Sequence, residues 1–254
     1  EGAVTRTNDL LSPLMEGVST IARGAARKRA KADGGKVLLF PLAIRYHLEA
    51  PLDSSIEPTL SEMEQRLSWK SQADMPLLER VRKVARALLG LKEIEFLNEV
   101  QSGDLFERSD RLINHLLHPL EEEWFSQHRE GSTVQRGKDL RSVILKGMIS
   151  GEIDDAERER RWHQFGALAL AQQLSLYPRG YLSEDAPHDR LLETVERLEE
   201  DFTGKARAYS PRSVTLKVCD PIEVPAKKET SDEVPLLDQL EQSLSDALDI
   251  PADL

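Results

Sequence analysis

His115 and His118 stand three residues apart inside a stretch of helical periodicity, which puts both imidazoles on one helix face. Such a pair supplies two ligands of a zinc site, but no third ligand or supporting shell accompanies it, so no metal is assigned and polar surface histidines are the plainer reading. His47, His128, His163 and His188 are scattered. Cys219 is the single cysteine, which excludes an internal disulfide, and with no histidine beside it in sequence it reads as a small buried apolar residue. No glycine-rich phosphate loop, His-Glu-x-x-His or Gly-x-Ser-x-Gly pattern is present. The runs Glu121-Glu122-Glu123 and Glu199-Glu200-Asp201 read as solvated helix faces. Arg27, Lys28, Arg29 and Lys31 crowd one segment; they either compensate a helix dipole or meet an anion, such as lipid headgroups or the phosphates of a cofactor.

The elements that must position these groups follow from periodicity and punctuation. Ser12-Pro13 is a helix start, and Leu14, Val18, Ile21, Ala22 and Ala25 then form an expected buried stripe. Gly34-Gly35 ends that helix. Val37–Ile44 reads as a strand buried on both faces, with an edge position or bulge at Pro41, which has no N–H to give. A helix, a glycine turn and a buried strand suggest half of a βαβ unit. Helical patterns follow at 76–89, 105–129, 138–149, 155–176 and 188–203, and no regular repeat of the solenoid kind stands out. Val214, Leu216 and Val218 then alternate with Thr215 and Lys217, the period of a half-buried strand, and Leu236, Leu237, Leu240, Leu244 and Leu248 mark a short amphipathic helix.

The expected organisation is an α/β part over 1–55, a helical insertion over 56–207, a returning strand over 208–225, and an acidic linker with a terminal amphipathic helix over 226–254. The fold class is thus α/β with a large all-α insertion, helical overall, and residues 37–46 and 213–218 are expected in one sheet.

Composition narrows the function classes. The 254 residues carry 34 Lys and Arg against 45 Asp and Glu, a net charge of −11, with 5% aromatics. That balance disfavours a nucleic-acid binder. The charge is uneven: residues 1–47 carry +4 and residues 220–254 carry −8, so an anion-binding surface belongs in the first fifth. No apolar run approaches the ~20 residues that cross a bilayer, and no secretory leader pattern is present. A first residue of Glu rather than Met reads as part of a longer or processed polypeptide.

Three segments in order carry a family likeness: Glu1-Gly2, then Phe40-Pro41-Leu42-Ala43-Ile44, then Val214–Ile222 closing on Asp220-Pro221-Ile222. They resemble the phospholipid/glycerol acyltransferase family of the lysophosphatidate acyltransferase type. Its members carry a Phe-Pro-Glu-Gly block, a helix, a Val-Pro-Val-Ala-Ile-like strand and a similar closing strand. The family's His-x4-Asp block does not occur in these residues and is expected upstream of Glu1; its Glu-Gly-Thr-Arg is replaced by Glu1-Gly2-Ala3-Val4-Thr5-Arg6. The resemblance implies transfer of a fatty acyl group from acyl-CoA or acyl-carrier protein to a glycerol-phosphate or lysophospholipid hydroxyl. In that reading Glu1 and Gly2 line the acceptor pocket, Arg6 or Arg45 grips a phosphate, and Arg27, Lys28, Arg29 and Lys31 face anionic lipid or the donor's phosphates. It implies no metal or redox cofactor beyond the acyl donor as co-substrate. Partners are then the lipid acceptor and acyl donor, with peripheral membrane contact and no nucleic acid. The compartment is the cytoplasm or the inner face of a membrane. The competing reading is a non-catalytic helical interaction or scaffold module.

Overall fold

A computed structural model describes residues 8, 10–11, 14–32, 34–49, 51–177, 179–205, 207, 211–226 and 234–248. In chain order the elements are α1 (Gly17–Ala32), β1 (Leu38–Leu39), β2 (Leu42–Leu48), α2 (Leu52–Arg66), α3 (Leu77–Leu97), α4 (Leu105–Phe125), α5 (Thr133–Ile144), α6 (Lys146–Ser150), α7 (Asp155–Ser175), α8 (His188–Thr203), β3 (Arg212–Val218), β4 (Ile222–Glu223) and α9 (Leu236–Leu248). The chain forms two compact units, one from 1–59 with 187–254 and one from 60–186, the boundary falling within α2. The fold is predominantly helical. Helix α8, which periodicity alone groups with the preceding helices, clusters with the strands.

In the first unit β2 pairs antiparallel with β3, from Leu42 opposite Val218 to Leu48 opposite Arg212, so of the expected 37–46 only residues 42–46 share a sheet with 213–218, while Leu38 and Leu39 pair with β4 in a separate two-stranded sheet. Pro41 separates β2 from β1, which pairs antiparallel with β4. Between Leu39 opposite Ile222 and Leu42 opposite Val218, two residues face three, a bulge that absorbs Pro41 on one side and Pro221 on the other. The Pro41 carbonyl accepts from the Cys219 N–H at 2.9 Å. Described strands pair only antiparallel, so the parallel pairing of a βαβ unit is not seen among them.

The strand buried on both faces is corrected. Ala43 is buried, but Leu42, Ile44 and Tyr46 are each nearly half exposed, as are their cross-strand partners Val218, Leu216 and Val214 or more so. One face of β2 is therefore covered and the other is bare and apolar, whereas β3, expected as a half-buried strand, is exposed on both faces from Ser213 to Val218. The α1 stripe is also corrected: Ser19, Ala22 and Ala26 are buried, while Val18 and Ile21 face outward. The small residues let α1 approach a core built with Val224, Leu236 and Leu240.

The second unit contains a repeat that apolar periodicity does not reveal. Helices α3, α4 and α5 start at Leu77, Leu105 and Thr133, each 28 residues after the last. Arg80, Arg108 and Arg136 hold the same position in each, and each forks onto a buried carboxylate of the preceding helix, Glu64, Glu93 or Glu121. The linking turns repeat as well. Asn98 and Ser126 close α3 and α4 in the left-handed conformation, and Gly103 and Gly131, both with positive φ, lead into the caps Asp104 and Ser132. In each turn the buried carboxylate also accepts a backbone N–H eight residues on, Gln101 to Glu93 and Arg129 to Glu121. Glu121, expected on a solvated face, is thus fully buried because Arg136, Asn114's neighbour in the same network, and a turn amide neutralise it. Leu112, Leu117, Leu140, Ile144 and Leu168 form the apolar core between these helices and α7.

Candidate functional site

Glu1, Gly2 and Arg6 lie outside the described residues. Arg45 is described, and its position on β2 sends it to the covered face, where Nη1 donates to the Leu248 carbonyl at 2.6 Å. A guanidinium at the carboxyl end of α9 satisfies an orphan carbonyl and suits the helix dipole. Its Nε is buried without a hydrogen-bond partner. Arg45 is therefore engaged in holding α9 against the ladder. Arg27, Lys28, Arg29 and Lys31 are exposed on the last turns of α1. Among the described residues no hydrogen bond or ion pair joins them to Arg45, so the structure does not gather these arginines into one phosphate grip.

The chemistry the ladder does collect was not singled out by sequence. Asn8 lies along the outer edge of β2: its Nδ2 donates to the Tyr46 carbonyl at 2.6 Å and its Oδ1 accepts from the Tyr46 N–H at 2.7 Å. The side-chain amide thus stands in for one rung of a neighbouring strand. The Asn8 N–H donates to Glu193 Oε2, and the Leu48 N–H donates to Asp189 Oδ1. With Leu192 and Arg212 these groups line a shallow crevice with no room for a water molecule. Replacing Asn8 with Ala is expected to destabilise the first unit by about 1–2 kcal/mol, since two hydrogen bonds are lost. The Tyr46 amide should then exchange its hydrogen faster; unchanged exchange would contradict this role.

Beyond Tyr46 the β2 edge has no backbone partner among the described residues. Because strand backbone groups alternate in direction, Ile44 and Leu42 point the same way as Tyr46, and no described group pairs with them. An open edge beside a bare apolar face is the arrangement that adds a strand.

Helix α8 backs the crevice. Arg190, Glu193, Glu196, Arg197 and Glu199 are all buried, although such a charge pattern reads as an exposed face. Arg212 pairs with Glu196 at 2.5 Å and Arg207 pairs with Glu199. Glu199, expected in solvent, is buried for that reason, and only partner arginines distant in sequence decide it.

The structure brings two of the histidines together. His115 is exposed, and His118 stacks on His128, with centroids 3.8 Å apart and rings within 10° of parallel. Burial, and after it the charge of His128 and Arg136, holds the His118 imidazole below its ordinary pKa. The stack occupies the place that Gly90 and Val100 fill one repeat earlier, where Val100 lies against the glycine. It is a packing contact of the repeat. Among the described residues no group of three or more His, Cys, Asp or Glu could hold a metal ion. Cys219 is half-buried, its Sγ 3.7 Å from the Ser243 carbonyl.

No family model, curated protein or solved structure matches the chain. No helix among the described residues is long and apolar enough to cross a membrane.

Proposed function

We propose that these residues are the acceptor-side part of a phospholipid/glycerol acyltransferase-like α/β domain interrupted by a helical insertion. The reading is carried by the β2–β3 ladder, which closes in register across more than 160 intervening residues and leaves an apolar face bare and, among the described residues, a strand edge without a backbone partner. A larger sheet covers both. The order of α1, the glycine turn, the proline-containing strand and the returning strand ending in Asp220-Pro221-Ile222 agrees with the family resemblance.

In this reading a general base of His-x4-Asp type lies outside the 254 residues. It removes the proton of a lipid acceptor hydroxyl, whose oxygen attacks the thioester carbonyl of acyl-CoA or acyl-carrier protein. The tetrahedral intermediate collapses, the acyl ester forms and the thiolate leaves, taking up a proton. Arg6 supplies the guanidinium fork for an acceptor phosphate, and Glu1 and Gly2 line the pocket.

The test is acyl transfer to a panel of lysophospholipids and glycerol 3-phosphate, by the 254 residues alone and by the natural polypeptide that contains them. The expected result is no turnover by the first and turnover by the second. Turnover by the 254 residues alone would refute the placement of the base. Inactivity of both would refute the enzyme and leave the helical interaction module, which the bare sheet face also favours.

A further inference from the structure

The α4–α5 turn carries ionisable groups at three positions where the α3–α4 turn has none. Counted by the 28-residue repeat, His118, Glu122 and His128 stand where Gly90, Ile94 and Val100 stand one repeat earlier. The frame around the two sets is alike, since each turn sends one amide to a buried carboxylate, Gln101 to Glu93 and Arg129 to Glu121. The two turns therefore differ in titratable chemistry on a common backbone.

His128 precedes Arg129, so its ring and the turn amide move together. The ring stacks on His118 at 3.8 Å, and its Nε2 lies 3.0 Å from Glu122 Oε1. A charge on His128 is thus answered by Glu122. A second charge, on His118, meets His128 and Arg136 of α5, both repulsive. Glu121, the other carboxylate close to His118, is already held by Arg136 Nε and Nη2 and by the Arg129 N–H. The Arg129 guanidinium pairs with Asp139 of α5. Helix α7 meets α4 at Glu123, which Arg160 and Gln164 hold, and α3 meets it at the Glu93–Arg108 fork. The strongest charges on His118 are those of His128, Arg136, Glu121 and Glu122. Two imidazolium rings stacked face to face repel each other and titrate as a coupled pair.

We propose that the His118–His128 stack is a proton-operated catch, which holds the α4–α5 turn closed while one ring is neutral and releases it when both are charged. Release draws His128 and Arg129 off α4, withdraws the turn amide from Glu121 and admits water to the Arg136 fork. Burial, followed by the charges of His128 and Arg136, already holds the His118 imidazole below its ordinary value. The closed turn therefore binds the proton less readily than the open one. Closure is complete above the ordinary histidine value and is lost as pH falls from there toward the lower folded one. That loss begins well above the range in which Glu93 and Glu121 protonate. The inference goes beyond the enzymatic reading and stands or falls without it.

The experiment is hydrogen exchange of the full 254-residue chain followed by NMR, each amide corrected for the pH dependence of its intrinsic rate. Between about pH 7 and about pH 5 the opening constant at the Arg129 N–H should rise about tenfold. The Gln101 N–H, in the turn without histidines, should show no such rise. Imidazole shifts should show His118 taking its proton at higher pH once His128→Val removes the neighbouring ring. The double substitution His118→Gln/His128→Val leaves no titrating ring in the turn and should make Arg129 as insensitive to pH as Gln101. An unchanged Arg129 opening constant overturns the inference. An equal rise at Gln101 also overturns it, because the response then belongs to the buried carboxylates. So does a His118 midpoint that His128→Val does not move. Should the double substitution unfold the chain, the comparison of Arg129 with Gln101 in the native protein decides.

Discussion

Replacing Arg108 with Leu should cost the second unit about 3–5 kcal/mol, the penalty for removing one member of a buried pair and leaving its partner charged. Arg108 Nε and Nη2 reach Glu93 Oε1 and Oε2 at 2.8 and 2.6 Å, and the Glu93 side chain has no exposed surface. After the substitution that carboxylate keeps the Gln101 N–H and loses its counter-charge. The loss is comparable with the whole stability of many domains, so denaturant titration should show a shifted or absent transition. The double substitution Glu93→Leu/Arg108→Leu should recover most of it, because it removes the buried charge along with its partner. Recovery of less than half would mean that the fork's geometry, and not the charge left behind, sets the cost.

The same variant should invert the pH response. In the native protein burial pushes the Glu93 carboxyl up, but the Arg108 hydrogen bonds, the Gln101 amide and the charges of Arg108 and Arg111 outweigh it, and the group sits below its ordinary value. Its stabilisation is complete above the unfolded value near ~4.3 and is lost as pH falls through the lower folded one. Glu121 behaves alike, with Arg136 and the Arg129 amide overcoming burial. Acid therefore loosens both turns of the repeat. With Arg108 gone, burial dominates at Glu93, its carboxyl rises above the ordinary range, and lowering the pH from neutrality should stabilise Arg108→Leu until the other carboxylates protonate. Parallel pH profiles for the variant and the native protein would refute this account of the staple.

Leu117→Ala is the second large effect expected. Leu117 is fully buried among Leu112, Leu116, Ile144 and Leu168, where α4 packs on α5 and α7. Truncation removes transfer energy and leaves a cavity, about 2–5 kcal/mol in all. Leu117→Met keeps the volume and should cost less than about 1.5 kcal/mol. Leu91, on the neighbouring helix but half exposed, should tolerate Ala within about 0.5 kcal/mol. If the Leu91 and Leu117 substitutions cost the same in urea unfolding, the assigned core is wrong.

The helical unit is stabilised by recurrent buried forks, each tying one helix to the next, and at Glu93 and Glu121 a turn amide joins the fork. The strand unit presents a bare apolar face on β2 and its cross-strand partners in β3.

Sequence by itself determined the local elements. Alternation at Val214–Val218 gave a strand, three-and-four spacing gave the helices at 188–203 and 236–248, and Pro41 announced the bulge, because these depend on the period of side chains and on missing N–H groups. It also placed residues 42–46 and 213–218 in one sheet, though not Leu38 and Leu39, which pair with β4 instead. Tertiary structure alone decided which faces are covered. Whether Ile21 or Ala26 faces the core depends on what packs there, and whether Glu93, Glu121 and Glu199 are solvated depends on arginines 8 to 15 residues away that a helix-by-helix reading treats as separate. The 28-residue repeat escaped notice for a related reason: apolar positions are interchangeable, whereas the conserved parts of the motif are one carboxylate, one guanidinium and the sign of φ at two turn residues, which acquire meaning only when the helices are brought together.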